Sequence, residues 1–207
     1  KTAYLTVSSQ LQLEGVCAGL GNCYTMNPSF RAEKSNTSRH LASFTHVEYE
    51  ASFGGLDDLM NLSENMIKSV IKECLEKCKD EYLFLNGYYS RGIISRLESY
   101  LTDTFERISY DKALEIIHKF VKKKKLKVKV LPKWGDDLGS VCERFLAEKY
   151  YKKPIMVYNY PKSLKSFYMK EDKENPKVVN CMDMLIPHIG ELIGSSVRED
   201  NYEKLLS

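Results

Sequence analysis

Apolar positions along the chain recur at two spacings, every second residue in some segments and every three or four residues in others. The first spacing is typical of half-buried strands and the second of amphipathic helices. The pattern predicts strands at 2–8, 24–33, 41–53, 154–160, 166–170, 177–186 and 191–197, and helices at 10–20, 59–78, 111–120 and 142–151. Many strands separated by helices of irregular length predict an α+β domain with a mixed or mostly antiparallel sheet flanked by helices.

Two of the predicted strands, 24–33 and 41–53, are joined by a polar loop and are expected to pair antiparallel. Successive side chains of a strand point to opposite faces, so Phe44, His46 and Glu48 share one face of the second strand. A face this polar is expected to border a cleft or water rather than a dry core.

A long helix with a regular apolar face is predicted from about residue 59, with Asp57 or Asp58 as its cap. From 80 to 137 the sequence changes character, and we expect a peripheral insertion of helices with a mobile basic segment that includes the lysine run 122–129. Lysine runs attract RNA phosphates in some proteins and are only solvated in others. The sequence leaves both interpretations of this run open.

The chain has 207 residues, 43% of them hydrophobic, which is enough for one substantial core. Its net charge of +3, from 31 basic and 28 acidic residues, is too balanced to indicate nucleic-acid binding, so an RNA contact requires a local patch. No apolar stretch reaches the roughly 18 residues of a membrane span, and residues 1–4 lack a signal-peptide layout, which favours a cytoplasmic protein. The six scattered cysteines predict neither a zinc site nor a disulfide framework, and no glycine-rich dinucleotide or P-loop motif is present.

The most informative chemistry lies in residues 30–44, which combine two arginines, a carboxylate and aromatic rings in a strand-loop-strand segment. Arginine presents a rigid fork to phosphate oxygens and an aromatic ring presents a flat face to a purine, so the segment suits a nucleotide. The alternative is an exposed charged loop between two strands. Together with the flanking run 45–50, the segment resembles motif 2 of class II aminoacyl-tRNA synthetases of the aspartyl/asparaginyl subgroup.

This resemblance implies the class II catalytic fold and a set of contacts to ATP. The family arginine at the position of Arg31 holds the α-phosphate and touches the substrate carboxylate, which makes Arg31 the candidate catalytic residue. The resemblance also implies that Glu33 accepts from the adenine amino group and that Phe44 stacks on the adenine ring. Contacts to the outer phosphates and the bent ATP are implied for Arg39, His40 and Leu41.

A second element, residues 183–199, resembles the family strand that precedes the third class motif. Glu191 matches a magnesium-binding carboxylate, Asp183 is a weaker candidate, and Arg198 matches the arginine that grips the substrate side chain. Mg²⁺ prefers hard oxygen ligands and bridges phosphates, so one or two carboxylates suffice. The resemblance therefore implies ATP and Mg²⁺ as cofactors. Residues 159–169 resemble a hairpin that lines the active site in asparaginyl members.

The choice of amino acid depends on residues 7–14. Aspartyl members place a lysine where Leu13 stands, whereas asparaginyl members lack it and carry a glutamate where Glu14 stands; Gln10 is a further implied amino-acid contact. An asparagine side chain offers an oxygen to Arg198 and an amide to Glu14, whereas aspartate would bring its charge against Glu14. The resemblance therefore implies ATP-dependent activation of asparagine and its transfer to tRNA(Asn).

Three alternatives stay open. They are an aspartyl-tRNA synthetase, an ammonia-dependent asparagine synthetase with the same catalytic fold, and a non-catalytic fragment or paralogue that acts as a binding or regulatory module. The absence of a lysine at Leu13 argues against the first two. The third is opposed by the intact site residues but kept open by the missing ends of the domain. The intact residues are Arg31, Glu33, Phe44, Glu191 and Arg198.

In complete members of the family, an anticodon-binding OB-fold domain and the first class motif precede the position of Lys1, and the third motif follows that of Ser207. We therefore expect residues 1–207 to be a partial catalytic domain of a protein that is a homodimer when complete. The resemblance implies asparagine and tRNA(Asn) as partners, and neither DNA nor a membrane. Since the third motif supplies an arginine for the γ-phosphate, the sequence leaves open whether this stretch is active alone.

Overall fold

The computed structural model describes residues 2–32, 34 and 41–206. It divides the chain into two compact units, Lys1–Gly54 and Gly55–Ser207. The elements of the first unit are α1 (Gln10–Leu20), β1 (Asn22–Phe30) and β2 (Ser43–Ala51).

The first unit consists of a helix beside a two-stranded hairpin. β1 and β2 pair antiparallel, with Phe30 opposite Ser43 at the loop end. Leu13 and Cys17, one helical turn apart, are the buried side chains of α1. Gly21 turns the chain into β1 with a φ of 84°, a left-handed conformation that glycine adopts without strain. The helix predicted at 10–20 and the antiparallel pair of strands are confirmed.

The strand predicted at 2–8 is wrong. These residues adopt no regular structure, although the backbone N–H of Phe30 donates to Thr6 O at 2.9 Å. Alternation gives a segment the side-chain pattern of a strand, but a strand also needs a continuous ladder of hydrogen bonds to a neighbour.

The second unit contains a four-stranded sheet and most of the helices. Its elements are α2 (Leu56–Lys77), α3 (Lys79–Tyr88), α4 (Ile93–Thr102), β3 (Glu106–Ser109), α5 (Tyr110–Lys122), α6 (Gly139–Arg144, continued by π-helical turns over Phe145–Tyr151), β4 (Ile155–Tyr158), a 3-10 turn (Lys162–Leu164), β5 (Cys181–Ile186), β6 (Gly190–Ser196) and α7 (Tyr202–Leu206). No helix in the part of the chain that the structure describes is long and apolar enough to cross a membrane.

The sheet has the strand order β3-β4-β5-β6. β3 and β4 are parallel and are connected through α5 and α6, whereas the other neighbours are antiparallel. β5 lies inside the sheet and all six of its residues are buried. The predicted mixed, mostly antiparallel sheet flanked by helices is therefore confirmed.

Each face of this sheet has its own apolar cluster. Val157 and Leu185 pack with α5 and α6, whereas Met156 and Met184 pack with α2 and α4. Asp183, two residues from Leu185, points to the face that α5 and α6 cover. A buried carboxylate thus lies at the centre of the sheet on that face.

Two local predictions in this unit are wrong. Helix α2 begins at Leu56, and its N-cap is Gly55 rather than Asp57 or Asp58. Asp58 lies inside the first turn, where its carboxylate accepts a hydrogen bond from the Gly55 N–H at 2.9 Å. The segment predicted as a strand at 166–170 is a turn. Only Met169 pairs with a neighbouring backbone, at Arg198 just beyond β6, and a single bridge does not make a strand.

The segment 80–137 was expected to be peripheral, and part of it is not. β3 is an edge strand of the sheet, and α5 supplies the fully buried Tyr110 and Ile117. Leu126, in the middle of the lysine run, is also buried in the core. A peripheral position does fit α3, in which no residue is buried. That the segment is an insertion relative to the family stays a prediction.

Candidate functional site

One face of the β1–β2 hairpin carries residues that the sequence relates to a nucleotide. The rings of Phe44 and His46 lie 5.4 Å apart, and the guanidinium carbon of Arg31 lies 5.3 Å from the centre of the Phe44 ring. Arg31 is exposed, and its Nε donates to the carbonyl oxygen of Val7 at 3.4 Å. A cation and an aromatic face side by side suit a phosphate attached to a purine.

Three predicted nucleotide contacts cannot be placed. Glu33, Arg39 and His40 lie outside the described residues. Leu41 is described and is exposed just before β2. Their contacts with ATP stay predictions.

Glu48 ties the chain segment before α1 to the hairpin. The Ser8 hydroxyl donates to Glu48 Oε1 and the Ser9 N–H donates to Oε2 at 2.8 Å. Burial raises the pKa of Glu48, but these two hydrogen bonds outweigh burial and hold the pKa below its usual value. His46 Nδ1 lies 3.5 Å from Oε1. An ionised carboxylate therefore fixes the segment that leads into α1.

Gln10 and Glu14, the two predicted amino-acid contacts on α1, touch each other. Gln10 Nε2 donates to Glu14 Oε1 at 2.9 Å, one helical turn along the same side. Leu13, the neighbour of Glu14, is 7% exposed. α1 thus presents an oriented carboxylate, and the position beside it carries no charge.

Asp183 on β5 and Glu191 on β6 share a face of the sheet because of a bulge. Asp183 pairs with Gly194, but the register shifts after Met184 so that Leu185 pairs with Glu191. Without this shift, Glu191 and Gly194 would point to opposite faces, since they are three residues apart. A Cβ on Gly194 would stand 2.8 Å from Glu191 Oε1 and 3.6 Å from Asp183 Oδ1. Glycine leaves the space in which the two carboxylates converge.

Lys165 neutralises the other side of Asp183. Its Nζ donates to Asp183 Oδ2 at 2.7 Å and lies 4.1 Å from the centre of the Tyr160 ring. Burial lowers the pKa of Lys165, but the ion pair with Asp183 outweighs burial and raises the pKa above its usual value. Lys165 is therefore protonated at neutral pH, and it holds Asp183 Oδ2 and leaves Oδ1 toward Gly194.

Glu143, on α6, belongs to the same electrostatic neighbourhood. Burial raises the pKa of Glu143 to about 7, and the charges of Glu191, Asp137 and Asp183 add to the rise while Lys165 opposes it. The neighbourhood therefore holds more acidic groups than basic ones. A bound dication would relieve this repulsion.

Arg198 is half-buried just beyond β6. Its Nη1 donates to Ser196 Oγ at 2.8 Å, and its guanidinium lies 5.1 Å from the centre of the Tyr168 ring. A bridge between Met169 and Arg198 also fixes the backbone at this point. A guanidinium held in this way offers a planar set of donors to a small polar group.

The carboxylates of Glu191 and Asp183 fit a magnesium ion that binds together with substrate phosphates. No group of three or more His, Cys, Asp or Glu side chains among the described residues has the arrangement of a metal site. Glu191 and Asp183 nevertheless direct hard carboxylate oxygens toward the space above Gly194, and Mg²⁺ commonly binds one or two carboxylates together with substrate phosphates. Asp183 already holds its other oxygen, Oδ2, in the ion pair with Lys165.

Sequence reasoning did not assign a role to Glu48, Lys165 or Glu143. Glu48 lay on the polar face of β2, but its serine partners are about forty residues away in the chain. Lys165 lay in the hairpin that resembles the family, yet no local pattern related it to Asp183. Nothing in the sequence around Glu143 indicates that it is half-buried.

The whole chain, residues 1–207, matches the family described as tRNA synthetases class II (D, K and N). Over 205 residues it is 47% identical to an asparagine–tRNA ligase of Cytophaga hutchinsonii and 44% identical to one of Borreliella afzelii. Each alignment covers 99% of this chain and 43% of the relative, so the chain spans less than half the length of these relatives.

The structure is similar to the crystal structure of asparaginyl-tRNA synthetase from Pyrococcus horikoshii complexed with asparaginyl-adenylate. The TM-score is 0.86 with 43% sequence identity, and the match covers 99% of this chain and 44% of that one. The class II fold expected from the sequence is thereby confirmed. On the agreement of family match and structural likeness over nearly its whole length, the chain belongs to the class II tRNA synthetases of the D, K and N group.

Proposed function

We propose that the protein to which this chain belongs activates asparagine with ATP and transfers it to tRNA(Asn). The observation that carries the proposal is the acceptor on α1, where Gln10 orients Glu14 and the adjacent Leu13 is buried and uncharged. An acceptor there suits the amide of asparagine and repels the carboxylate of aspartate. The similarity to asparagine–tRNA ligases of two bacteria supports the same choice.

In this proposal the first unit binds the nucleotide. An oxygen of the asparagine carboxylate attacks the α-phosphorus, the bond to the β-phosphate breaks, and pyrophosphate leaves. Arg31 neutralises charge that develops on the α-phosphate, where a positioned donor acts chiefly in the transition state. Phe44 stacks on adenine, and Glu33, Arg39, His40 and Leu41 complete the contacts to ATP.

The second unit contributes charge and side-chain recognition. Glu191, with Asp183 as a second ligand, would hold Mg²⁺, and the ion would supply positive charge to the leaving phosphates. Lys165 keeps Asp183 in place. Arg198 donates to the side-chain oxygen of asparagine, and its guanidinium is oriented beforehand by Ser196 and Tyr168.

The proposal extends to the assembled enzyme. We take it to be a cytoplasmic homodimer that uses ATP and Mg²⁺, as the resemblance to the family implies. These features belong to the whole protein, whereas this chain corresponds to 43% of the length of the Cytophaga hutchinsonii relative.

The test is aminoacylation by the full-length protein. Purified protein, magnesium-ATP and a tRNA(Asn) transcript are mixed with radiolabelled asparagine or aspartate, and acid-precipitable label is counted. The proposal predicts charging with asparagine alone. Charging with aspartate would support an aspartyl enzyme, and no charging with either amino acid would support a non-catalytic module.

A further inference from the structure

Eight lysines lie close together in sequence between residues 119 and 133, and we name this set the lysine ridge. All of them are exposed, and no aspartate or glutamate occurs within this range. The ridge consists of Lys119, Lys122, Lys123, Lys124, Lys125, Lys127, Lys129 and Lys133. The chain as a whole has 31 basic and 28 acidic residues, so the rest of the chain is net negative. Positive charge is therefore concentrated here.

The ridge is anchored to the protein core. Leu126 is buried and Val128 packs against the same cluster, so Lys125, Lys127 and Lys129 alternate with inward-pointing apolar side chains. The N–H groups of Lys125 and Leu126 both donate to Phe120 O, at 2.9 and 3.2 Å. The lysine backbones thus hold fixed positions, which lowers the ordering entropy that binding would cost.

No acidic side chain in the described part of the chain forms an ion pair with the ridge. Acidic side chains beside the ridge have other partners. Glu115 pairs with Lys112 at 2.9 Å, Asp111 accepts from Trp134 at 2.8 Å, and Asp136 accepts from the backbone N–H of Lys133 at 2.8 Å. The ammonium groups are therefore available to a polyanion.

An aromatic side chain stands at one end of the ridge. Trp134, next to Lys133, is 47% exposed, and its Nε1–H is held by Asp111. The hydrogen bond fixes the indole and leaves part of its ring open to solvent. Lysines beside an exposed aromatic ring are typical of surfaces that bind nucleic acid, because bases stack on the ring while lysines contact phosphates.

We propose that the lysine ridge binds the phosphate backbone of RNA. This inference rests on the proposed function, in which an RNA is the second substrate, and it assigns part of that RNA's contact surface to residues far in sequence from the nucleotide motif. Lysine is a hydrated point charge rather than a bidentate fork, so the ridge attracts phosphates without reading sequence.

The test compares two variants of the full-length protein with the same loss of charge. One carries Lys125→Gln, Lys127→Gln and Lys129→Gln, and the control carries Lys72→Gln, Lys77→Gln and Lys79→Gln, at exposed positions on α2 and α3. Binding of unfractionated tRNA is measured by fluorescence anisotropy between about 50 and 200 mM salt. A third variant with arginine at positions 125, 127 and 129 should restore binding.

The ridge variant should bind tRNA at least tenfold more weakly at about 0.1 M salt, with a salt dependence shallower by about 2 to 3 in log-log slope. Its KM for tRNA in aminoacylation should rise while asparagine-dependent pyrophosphate exchange without RNA is unchanged. Equal tRNA affinity in the ridge variant and the control would overturn the inference. Tighter binding of the wild type to phosphatidylserine vesicles than to tRNA would do so as well.

A second measurement needs no variant. Acetylation of the wild-type protein should be slowed by tRNA at the ridge lysines and unaffected at Lys72 and Lys77. Unprotected ridge lysines would overturn the inference. Loss of exchange activity with asparagine would refute the proposed function instead, because exchange requires no RNA.

Discussion

Replacing Glu48 by glutamine tests whether an ionised carboxylate holds the segment before α1. The Glu48 side chain is 10% exposed and accepts from Ser8 Oγ and Ser9 N. A hydrogen bond to a charged acceptor contributes about 1.5–3 kcal/mol. Glutamine keeps one acceptor oxygen but turns an NH₂ group toward one of the two donors. We expect Glu48→Gln to destabilise the folded protein by about 2 kcal/mol.

The same change should weaken asparagine binding, because Gln10 follows Ser9 directly and orients Glu14. In pyrophosphate exchange, the KM for asparagine should rise roughly tenfold, which corresponds to about 1.4 kcal/mol. The KM for ATP should change much less. The matched control is Glu98→Gln, at an exposed position on α4, which should alter neither stability nor exchange.

The lowered pKa of Glu48 also gives the sign of a pH dependence. A carboxyl whose pKa is lower in the folded state stabilises the fold above its unfolded pKa, and this contribution is lost as pH falls through the folded value. The stability difference between wild type and Glu48→Gln should therefore shrink below about pH 4.3. Equal melting temperatures and equal asparagine KM at neutral pH would refute this role for Glu48.

Three further substitutions test other parts of the account. Gly194→Ala should raise the KM for magnesium-ATP with little change in melting temperature. The added Cβ would stand 2.8 Å from Oε1 of Glu191 and displace only that flexible carboxylate. An unchanged KM would contradict the placement of Glu191. Lys165→Met should destabilise the protein by about 3–5 kcal/mol by leaving Asp183 buried without its cation, and adding Asp183→Asn should recover stability in thermal unfolding. Phe44→Ala should weaken the binding of ATP by about 1–3 kcal/mol and leave the KM for asparagine unchanged. A lower melting temperature with unchanged ATP affinity would show that Phe44 is a packing residue.

The local sequence pattern was sufficient to predict those elements whose structure depends on residues close together in the chain. The helix at Gln10–Leu20 and the β1–β2 hairpin were predictable because apolar spacing and a polar loop lie within the segments themselves. The shared face of Phe44, His46 and Glu48 followed from strand alternation.

Features that depend on distant residues were not predictable. β3 joins the sheet by pairing with β4, about fifty residues later, so its segment resembled a peripheral insertion. The bulge after Met184 moves Glu191 onto the face of Asp183, and strict alternation from Gly194 would have placed it on the other face. The partial burial of Lys165 and Glu143 likewise depends on packing between elements.

The most direct test of the central claim is pyrophosphate exchange by the full-length protein with asparagine and with aspartate as the only amino acid. We predict exchange that depends on asparagine, with aspartate weaker by at least one order of magnitude, since a like-charge repulsion of about 1.4 kcal/mol already gives tenfold discrimination. Exchange that is equal or greater with aspartate would contradict the account, because Glu14 would then not face the substrate side chain.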